Sequence, residues 1–163
     1  MAATIPNIAK GRFNEFARRV KSGDPADSAL VIVLFQAPVS STLDQLRDMD
    51  TLEAIGAVET ECDFTNYARI VLGADDIEAP TVDDVGNAQT LTISDQAIEA
   101  AGGDNDNDVG LVVIGYDPDD GSGDDSQIVP IFVDLLDTPV STNGETFHIR
   151  VHPSGLLRAG EPD

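Results

Sequence analysis

A short run of alternating acidic residues and amides is the feature of this sequence that most resembles a metal site. Residues 104–108 read Asp-Asn-Asp-Asn-Asp, and carboxylate and amide oxygens are ligands that Ca²⁺ prefers. An EF-hand loop also needs Gly at its sixth position and Glu at its twelfth, where this chain has Val109 and Gly115. The spacing therefore excludes an EF-hand and leaves open either a solvated acidic loop or a structural Ca²⁺ or Na⁺ site. The candidate ligands of that site are Asp104, Asp106, Asp108, Asp117 and Asp119.

Residues capable of nucleophilic or acid–base catalysis are present, but they are not arranged for it. Cys62 lies among three acidic residues, which raise the pKa of a thiol and disfavour the reactive thiolate. His148 and His152 lie four residues apart on a predicted strand, and a separation of about 13 Å is too large for both to bind one metal ion. The sequence has no Gly-x-Ser-x-Gly motif and no phosphate-binding loop. It therefore predicts a protein that is not an enzyme and has no cofactor other than the structural ions considered above.

The chain is strongly acidic although it has the hydrophobic content of a folded protein. It contains 30 acidic and 9 basic residues, for a net charge of −21, and 41% of its residues are hydrophobic. One interpretation is adaptation to molar salt, where the Debye length falls to about 3 Å and dense like charge is tolerated. The other is a functional acidic face, as in a DNA mimic or a cation-binding protein. Because the acidic residues are spread along most of the chain, we favour salt adaptation, and we expect no nucleic-acid partner.

The basic residues are concentrated in one predicted amphipathic helix, residues 8–22. Five of the nine lie in this segment, and only Glu15 opposes them. Apolar residues at positions 13, 16, 17 and 20 are spaced to form one face of the helix. The helix either pairs with acidic groups of its own chain or docks on an acidic neighbouring subunit. In the second case the partner-binding residues are Lys10, Arg12, Phe13, Phe16, Arg18 and Arg19.

The remaining patterns predict a body rich in strands. Residues 28–36 form a continuous apolar run typical of a buried strand, and residues 41–55 have the pattern of a second helix. Two apolar runs at 109–116 and 127–136 flank a loop of Asp, Gly and Ser, which predicts a β-hairpin. Further strands are predicted at 67–72, 89–93 and 145–152, and residues 94–101 form a strand or a short helical turn.

The predicted helices lie in the N-terminal third of the sequence and most of the predicted strands follow them, an order that is informative about fold class. We expect an α+β or mainly β fold, an antiparallel β-sandwich-like domain with an N-terminal amphipathic helix. A single domain over residues 1–163 would contain the helix at 8–22, a β-rich body at 28–152 and a tail at 153–163. No apolar run approaches the ~20 residues of a membrane span, and no signal peptide is visible, so we expect no membrane contact.

Four segments in a fixed order resemble a known family. They are Lys10-Gly-Arg-Phe with Arg19-Val and Asp24-Pro-Ala-Asp-Ser-Ala-Leu-Val, Asp63-Phe-Thr-Asn-Tyr-Ala-Arg-Ile-Val-Leu, Asp83-Asp84 with the strand after it, and Gly115-Tyr-Asp-Pro-Asp with Asp125-Ser-Gln-Ile-Val-Pro. Together they resemble small proteins encoded among the virion genes of tailed double-stranded DNA viruses, both phages and haloarchaeal viruses. The resemblance implies a structural, capsid-associated virion protein and transfers no catalytic residue. The greater acidity of this chain fits a virus of a halophilic archaeon.

The resemblance leads us to expect a protein that decorates the capsid exterior of a tailed haloarchaeal virus, or forms a turret on it. It would reinforce the shell or present a surface, form a trimer or pentamer, and contact other virion proteins, chiefly the major capsid protein. It would be made in the host cytoplasm at high salt. Two alternatives are a head–tail connector or tail component, and a non-virion halophilic enzyme or DNA mimic. If the helix is the anchor, deletion of residues 1–21 should abolish assembly.

Overall fold

The computed structural model describes residues 2–78, 81–83, 88–151 and 157–159. The helices in this part of the chain are a 3-10 turn at Asn7–Ala9, α1 (Phe13–Ser22), α2 (Leu43–Arg47) and α3 (Leu52–Gly56). The strands are β1 (Ala2–Thr4), β2 (Ala29–Gln36), β3 (Ile70–Leu72), β4 (Thr81–Asp83), β5 (Ala88–Leu91), β6 (Gln96–Ile98), β7 (Asp108–Asp117), β8 (Val129–Ser141), β9 (Phe147–Ile149) and β10 (Leu157–Ala159).

Five of these strands form one antiparallel sheet in the order β1-β8-β7-β2-β3. β7 is its central strand, with Ile114 opposite Ile32 of β2 and Val113 opposite Val133 of β8. The other described strands pair as β10-β5-β4 and as β6-β9, again antiparallel. The predicted class, mostly strands in antiparallel sheets with few helices, is therefore confirmed.

The five-stranded sheet is covered on both faces, as the continuous apolar run of β2 predicts. Successive side chains of a strand point to opposite faces, so β2 contributes alternately to two cores. One core lies on the α1 side and includes Phe13, Phe16, Val20, Leu30, Ile32, Leu34, Phe64, Leu91 and Ile93. The other lies under α2 and α3 and includes Val31, Val33, Phe35, Leu46, Leu52 and Ile55.

The central hairpin is formed by β7 and β8, as predicted. The strands approach closely at Gly115, where a Cβ atom would lie 2.6 Å from Cγ2 of Ile128. The end of the connecting loop is held to α3, because the N–H groups of Leu52 and Glu53 donate to the carbonyl oxygens of Ile128 and Asp125. The loop is therefore anchored at its end in the body of the protein.

The predicted helix over residues 41–55 is wrong in its extent, because the structure divides it into α2 and α3. The hydroxyl of Thr51 accepts a hydrogen bond from the N–H of Ala54 and caps a new helix there. Thr42 caps α2, as predicted, through reciprocal hydrogen bonds with Gln45. A second capping residue inside one apolar pattern is the physical reason for the break.

Both ends of the chain also differ from the prediction. The helix predicted over residues 8–22 is α-helical only from Phe13, after the 3-10 turn. The first residues, for which no strand was predicted, form β1 at the edge of the main sheet. Residues 153–163 were predicted as a tail, yet β10 within them pairs with β5.

Candidate partner-binding surface

Helix α1 is amphipathic, and its apolar side packs on the sheet. Phe13, Phe16, Ala17 and Val20 are buried, as their helical spacing predicts. The helix ends at Gly23, which has a left-handed φ of 60° and donates its N–H to the carbonyl oxygen of Val20. The charged side chains of α1 lie on its solvent side.

Phe13 and Phe16, which we predicted among the partner-binding residues, are core residues instead. Their exposed fractions are 2% and 3%, and the ring of Phe16 stacks on that of Tyr116 with centroids 4.7 Å apart. A partner can therefore reach only the polar side of α1. Deletion of residues 1–21 would remove β1 and much of the core, so it would test folding rather than docking.

Four cations line the solvent side of this segment, and two of them share one anion. Lys10, Arg12, Arg18 and Arg19 are exposed. The carboxylate of Glu15 lies 3.4 Å from Nε of Arg12 and 3.0 Å from Nη2 of Arg19. One negative charge therefore faces two guanidinium groups, and an excess of positive charge is left.

The other two cations are not neutralised within the described part of the chain. Nζ of Lys10 donates to the uncharged Oδ1 of Asn7 at 2.7 Å. Arg18 makes neither a hydrogen bond nor an ion pair with a residue that the structure describes. We call Lys10, Arg12, Arg18 and Arg19 the cationic face.

The charge of this segment contrasts with that of the whole chain. Residues 10–22 contain five cations and one anion, a net charge of +4, so the other residues carry −25. The ion pairs of the cationic face all go to Glu15 on α1 itself, and among the described residues none reaches a carboxylate of the acidic body. Within the described residues, Lys10 and Arg18 therefore carry the positive charge of this face that is not paired with an anion.

The loop that joins β7 to β8 has the opposite charge. Residues 117–125, which we call the acidic loop, contain five aspartates and no basic residue. Asp117 is buried, and burial together with the charges of Asp120, Asp119 and Asp125 raises its pKa. Asp119 and Asp120 are exposed, and neither forms an ion pair with a described residue. The acidic loop therefore presents uncompensated negative charge.

The five candidate cation ligands lie in two separate places. Asp108 begins β7 and Asp117 ends it, and a strand of that length spans about 30 Å. Asp104, Asp106 and Asp108 therefore cannot share an ion with Asp117 and Asp119, and that part of the prediction is wrong. Over residues 2–78, 81–83, 88–151 and 157–159, no group of three or more His, Cys, Asp or Glu side chains is placed to hold a metal ion.

The amides between these aspartates fasten the loop to another segment. Nδ2 of Asn107 donates to Oδ1 of Asp63 at 3.1 Å, and Oδ1 of Asn107 accepts the N–H of Asp63 at 2.8 Å. Nδ2 of Asn105 donates to the carbonyl oxygen of Asp63 at 2.8 Å. Oδ1 of Asp106 accepts the N–H of Gly103 at 2.7 Å. Hydrogen bonds to Asp63 thus give the two amides of the pattern, Asn105 and Asn107, a structural role.

Cys62 and His148 are placed very differently. Cys62 is buried, and burial together with the charges of Glu61 and Asp63 raises the pKa of its thiol to about 12. The acidic neighbours predicted this direction, but burial, which is the larger cause, was not predicted. His148 is exposed on β9, beside a cleft of about 180 Å³ at the end of β8. His152 lies outside the described residues.

No protein-family model, no curated protein and no solved structure matches this chain. The resemblance to virion proteins of tailed viruses therefore stays a prediction. Of the quoted pair Asp83-Asp84, the first residue ends β4 and the second lies outside the described residues. None of the described helices is long and apolar enough to cross a membrane.

Proposed function

We propose that this protein is a structural component of a tailed haloarchaeal virus, which decorates the capsid exterior or forms a turret on it. In this role it acts by binding rather than by catalysis, and it reinforces the shell or presents a surface. Its partners are other copies of itself, in a trimer or pentamer, and other virion proteins, including the major capsid protein. It functions without nucleic acid, membrane or cofactor.

The cationic face is the observation that carries this proposal. A polyanion of net charge −21 keeps Lys10, Arg12, Arg18 and Arg19 exposed at the start of α1 and along it, while the apolar residues of the same helix are buried. Such a surface is suited to an acidic protein partner, because charge complementarity steers association and fixes orientation. On a capsid, symmetry would multiply each weak contact. The ordered segments that resemble virion proteins and the β-rich body are consistent with this role.

The test of the proposal is quantitative peptide mass spectrometry on purified particles of the source virus. Tens to hundreds of copies, measured against the major capsid protein, are expected for a shell component. A handful of copies would instead indicate a head–tail connector or tail component. Absence of the protein from the particles would overturn the virion proposal and favour a halophilic enzyme or a DNA mimic.

A second test addresses the cationic face directly. The variant Lys10→Glu with Arg18→Glu reverses two exposed charges without touching the core, and it should weaken binding to capsids at least about tenfold. Arg47→Glu on α2 is the matched control, because it reverses a partly exposed arginine outside the cationic face. Equal binding by both variants would show that α1 does not contact the shell.

A further inference from the structure

We propose that the cationic face of α1 binds the acidic loop of a second copy of this chain and joins the copies into a closed homo-oligomer. The inference deepens the proposed function by naming the neighbour of α1. The inference is tested by the self-association of the purified chain in solution, whereas the virion proposal is tested by the copy number of the protein in virus particles. Either can therefore fail without the other.

Charge complementarity between two exposed surfaces of the same chain is the first argument. The segment that carries the cationic face has a net charge of +4, and the acidic loop exposes the carboxylates of Asp119 and Asp120. Among the described residues, Arg18 has no partner at all, and the exposed carboxylates of Asp119 and Asp120 pair with no cation. Each copy thus displays both halves of a complementary contact, with Arg18 on one half and Asp119 and Asp120 on the other left without an ion-pair partner among the described residues.

The relative position of the two surfaces is the second argument. Phe16 of α1 stacks on Tyr116, which directly precedes the acidic loop. The N–H of Asp120 donates to the carbonyl oxygen of Asp27, in the connection that follows α1, at 2.9 Å. The acidic loop therefore lies next to the connection that follows α1, and Tyr116, which precedes the loop, lies under the buried side of the helix. A contact between two different surfaces is heterologous, and it forms a ring when the rotation between successive copies closes and an open filament when it does not.

A second copy fits both surfaces better than an unrelated acidic protein does. An unrelated acidic partner would satisfy the cationic face and leave the acidic loop exposed. In a ring of copies, the acidic loop of one copy covers the cationic face of its neighbour on one side. Its own cationic face is covered by the acidic loop of its neighbour on the other side. Each contact also places Arg side chains beside carboxylates, which they bind in a planar, two-point geometry.

The experiment is size-exclusion chromatography with light scattering on the full chain, at the lowest KCl concentration at which circular dichroism finds it folded, because salt screens contacts between exposed charges. Two charge-reversal variants are compared with wild type: Lys10→Glu with Arg18→Glu, and Asp119→Lys with Asp120→Lys. A third variant carries all four substitutions. The control, Arg47→Glu with Asp104→Lys, reverses one cation and one anion outside the two surfaces.

We expect wild type and the control to self-associate, and each two-residue reversal to weaken association at least about tenfold, because it places like charges opposite each other. The fourfold variant should recover association, since its contacts again pair opposite charges in rings of any size. A monomeric wild type would overturn the inference. So would association that the reversals leave unchanged, or that the fourfold variant fails to recover.

Discussion

Arg69 at the edge of the sheet binds Asp125 of the acidic loop through two parallel hydrogen bonds. Nη1 lies 2.5 Å from Oδ1 and Nη2 lies 2.8 Å from Oδ2, the two-point geometry that a guanidinium forms with a carboxylate. The same group binds Glu61 through Nε and Nη2, at 2.8 and 2.7 Å. The hydrogen bonds that Arg69 donates to both carboxylates raise its pKa. Arg69 therefore ties the end of the acidic loop to the segment beside β3.

Replacement of Arg69 should destabilise the protein, and the loss should be larger when both the hydrogen bonds and the positive charge are removed than when only the two-point hydrogen bonds are. Arg69→Lys keeps the charge but loses the planar two-point contacts, and we expect it to cost about 1 kcal/mol. Arg69→Gln leaves two carboxylates without a cation and should cost about 2 kcal/mol, since these side chains are only about one-third exposed. The measurement is the free energy of unfolding from denaturant titration.

Arg47→Lys is the matched control for this prediction. Arg47 pairs with the exposed Asp44 three residues earlier, and such surface pairs contribute less than about 0.5 kcal/mol. Equal effects of Arg69→Lys and Arg47→Lys would contradict the role of Arg69 as an anchor of the loop.

Glu59 is a buried carboxylate that organises the chain between β2 and α2. It accepts hydrogen bonds from the N–H and the hydroxyl of Ser40, at 3.0 and 2.9 Å, and from those of Ser41, at 2.8 and 2.5 Å. Burial acts to raise the pKa of Glu59, but these four hydrogen bonds outweigh it and hold the pKa below its ordinary value. The ionised form is therefore the one that stabilises the fold.

The variant Glu59→Gln should lower the free energy of unfolding by about 2 kcal/mol at neutral pH. The N–H₂ group of the amide replaces a carboxylate oxygen and cannot accept the hydrogen bonds that Ser40 and Ser41 donate. The pKa of Glu59 is lower in the folded than in the unfolded chain. Its stabilising contribution is therefore present above the ordinary glutamate pKa of about 4.3 and is lost as the pH falls through the folded value. Unfolding free energies of wild type and variant, measured from pH 7 downwards, should converge in acid.

Glu53→Gln, at an exposed position in α3, is the control for Glu59 and should change stability by less than about 0.5 kcal/mol. A Glu59→Gln penalty that persists unchanged below the ordinary glutamate pKa would contradict a stabilising carboxylate, and would assign the cost to packing alone.

Asp134 is a buried carboxylate whose pKa is raised, in contrast to that of Glu59. It lies in β8 between Ala3 of β1 and Val112 of β7, and its side chain is 8% exposed. Its Oδ1 atom is buried and has no hydrogen-bond partner among the residues that the structure describes. Burial raises the pKa of Asp134, so its negative charge opposes folding.

The variant Asp134→Asn should therefore stabilise the protein at neutral pH, by roughly 1 kcal/mol, because it removes a buried charge. The pKa of Asp134 is higher in the folded than in the unfolded chain. The cost of its charge therefore appears as the pH rises above the ordinary aspartate pKa of about 3.9, and becomes constant above the folded value. The gain should vanish in acid. Asp104→Asn in an exposed loop is the control, and a loss of stability on Asp134→Asn at pH 7 would contradict the prediction.

Patterns along the sequence predicted the parts of the fold that local spacing determines. The apolar runs of β2, β7 and β8 and the turn residues between the last two were sufficient for the central hairpin. The helical spacing of Phe13 and Phe16 indicated an apolar face, but it could not distinguish a face buried in the same chain from one that binds a partner. Only the packing of Phe16 on Tyr116 decides this.

Contacts between distant segments were not predictable, because no local pattern records them. Nζ of Lys21 donates to the carbonyl oxygens of Ala74 and Ile77, more than fifty residues away. Arg69 and Asp125 are also 56 residues apart. The same limitation explains why the candidate cation ligands were grouped across β7: their spacing in sequence gave no measure of the length of the strand between them.

The net charge of −21 leads to a final prediction about salt. At about 0.1 M salt the Debye length is about 10 Å, so the repulsion between exposed aspartates such as Asp119 and Asp120 opposes folding, and molar salt screens it. We expect the thermal midpoint to rise by at least about 6 °C between 0.1 M and 2 M KCl, which corresponds to about 2–3 kcal/mol for a domain of this size. Sucrose is the control, because it stabilises folded proteins by exclusion without screening charge. A midpoint that rises equally in sucrose, or that does not rise in KCl, would contradict adaptation to salt and favour a functional acidic face.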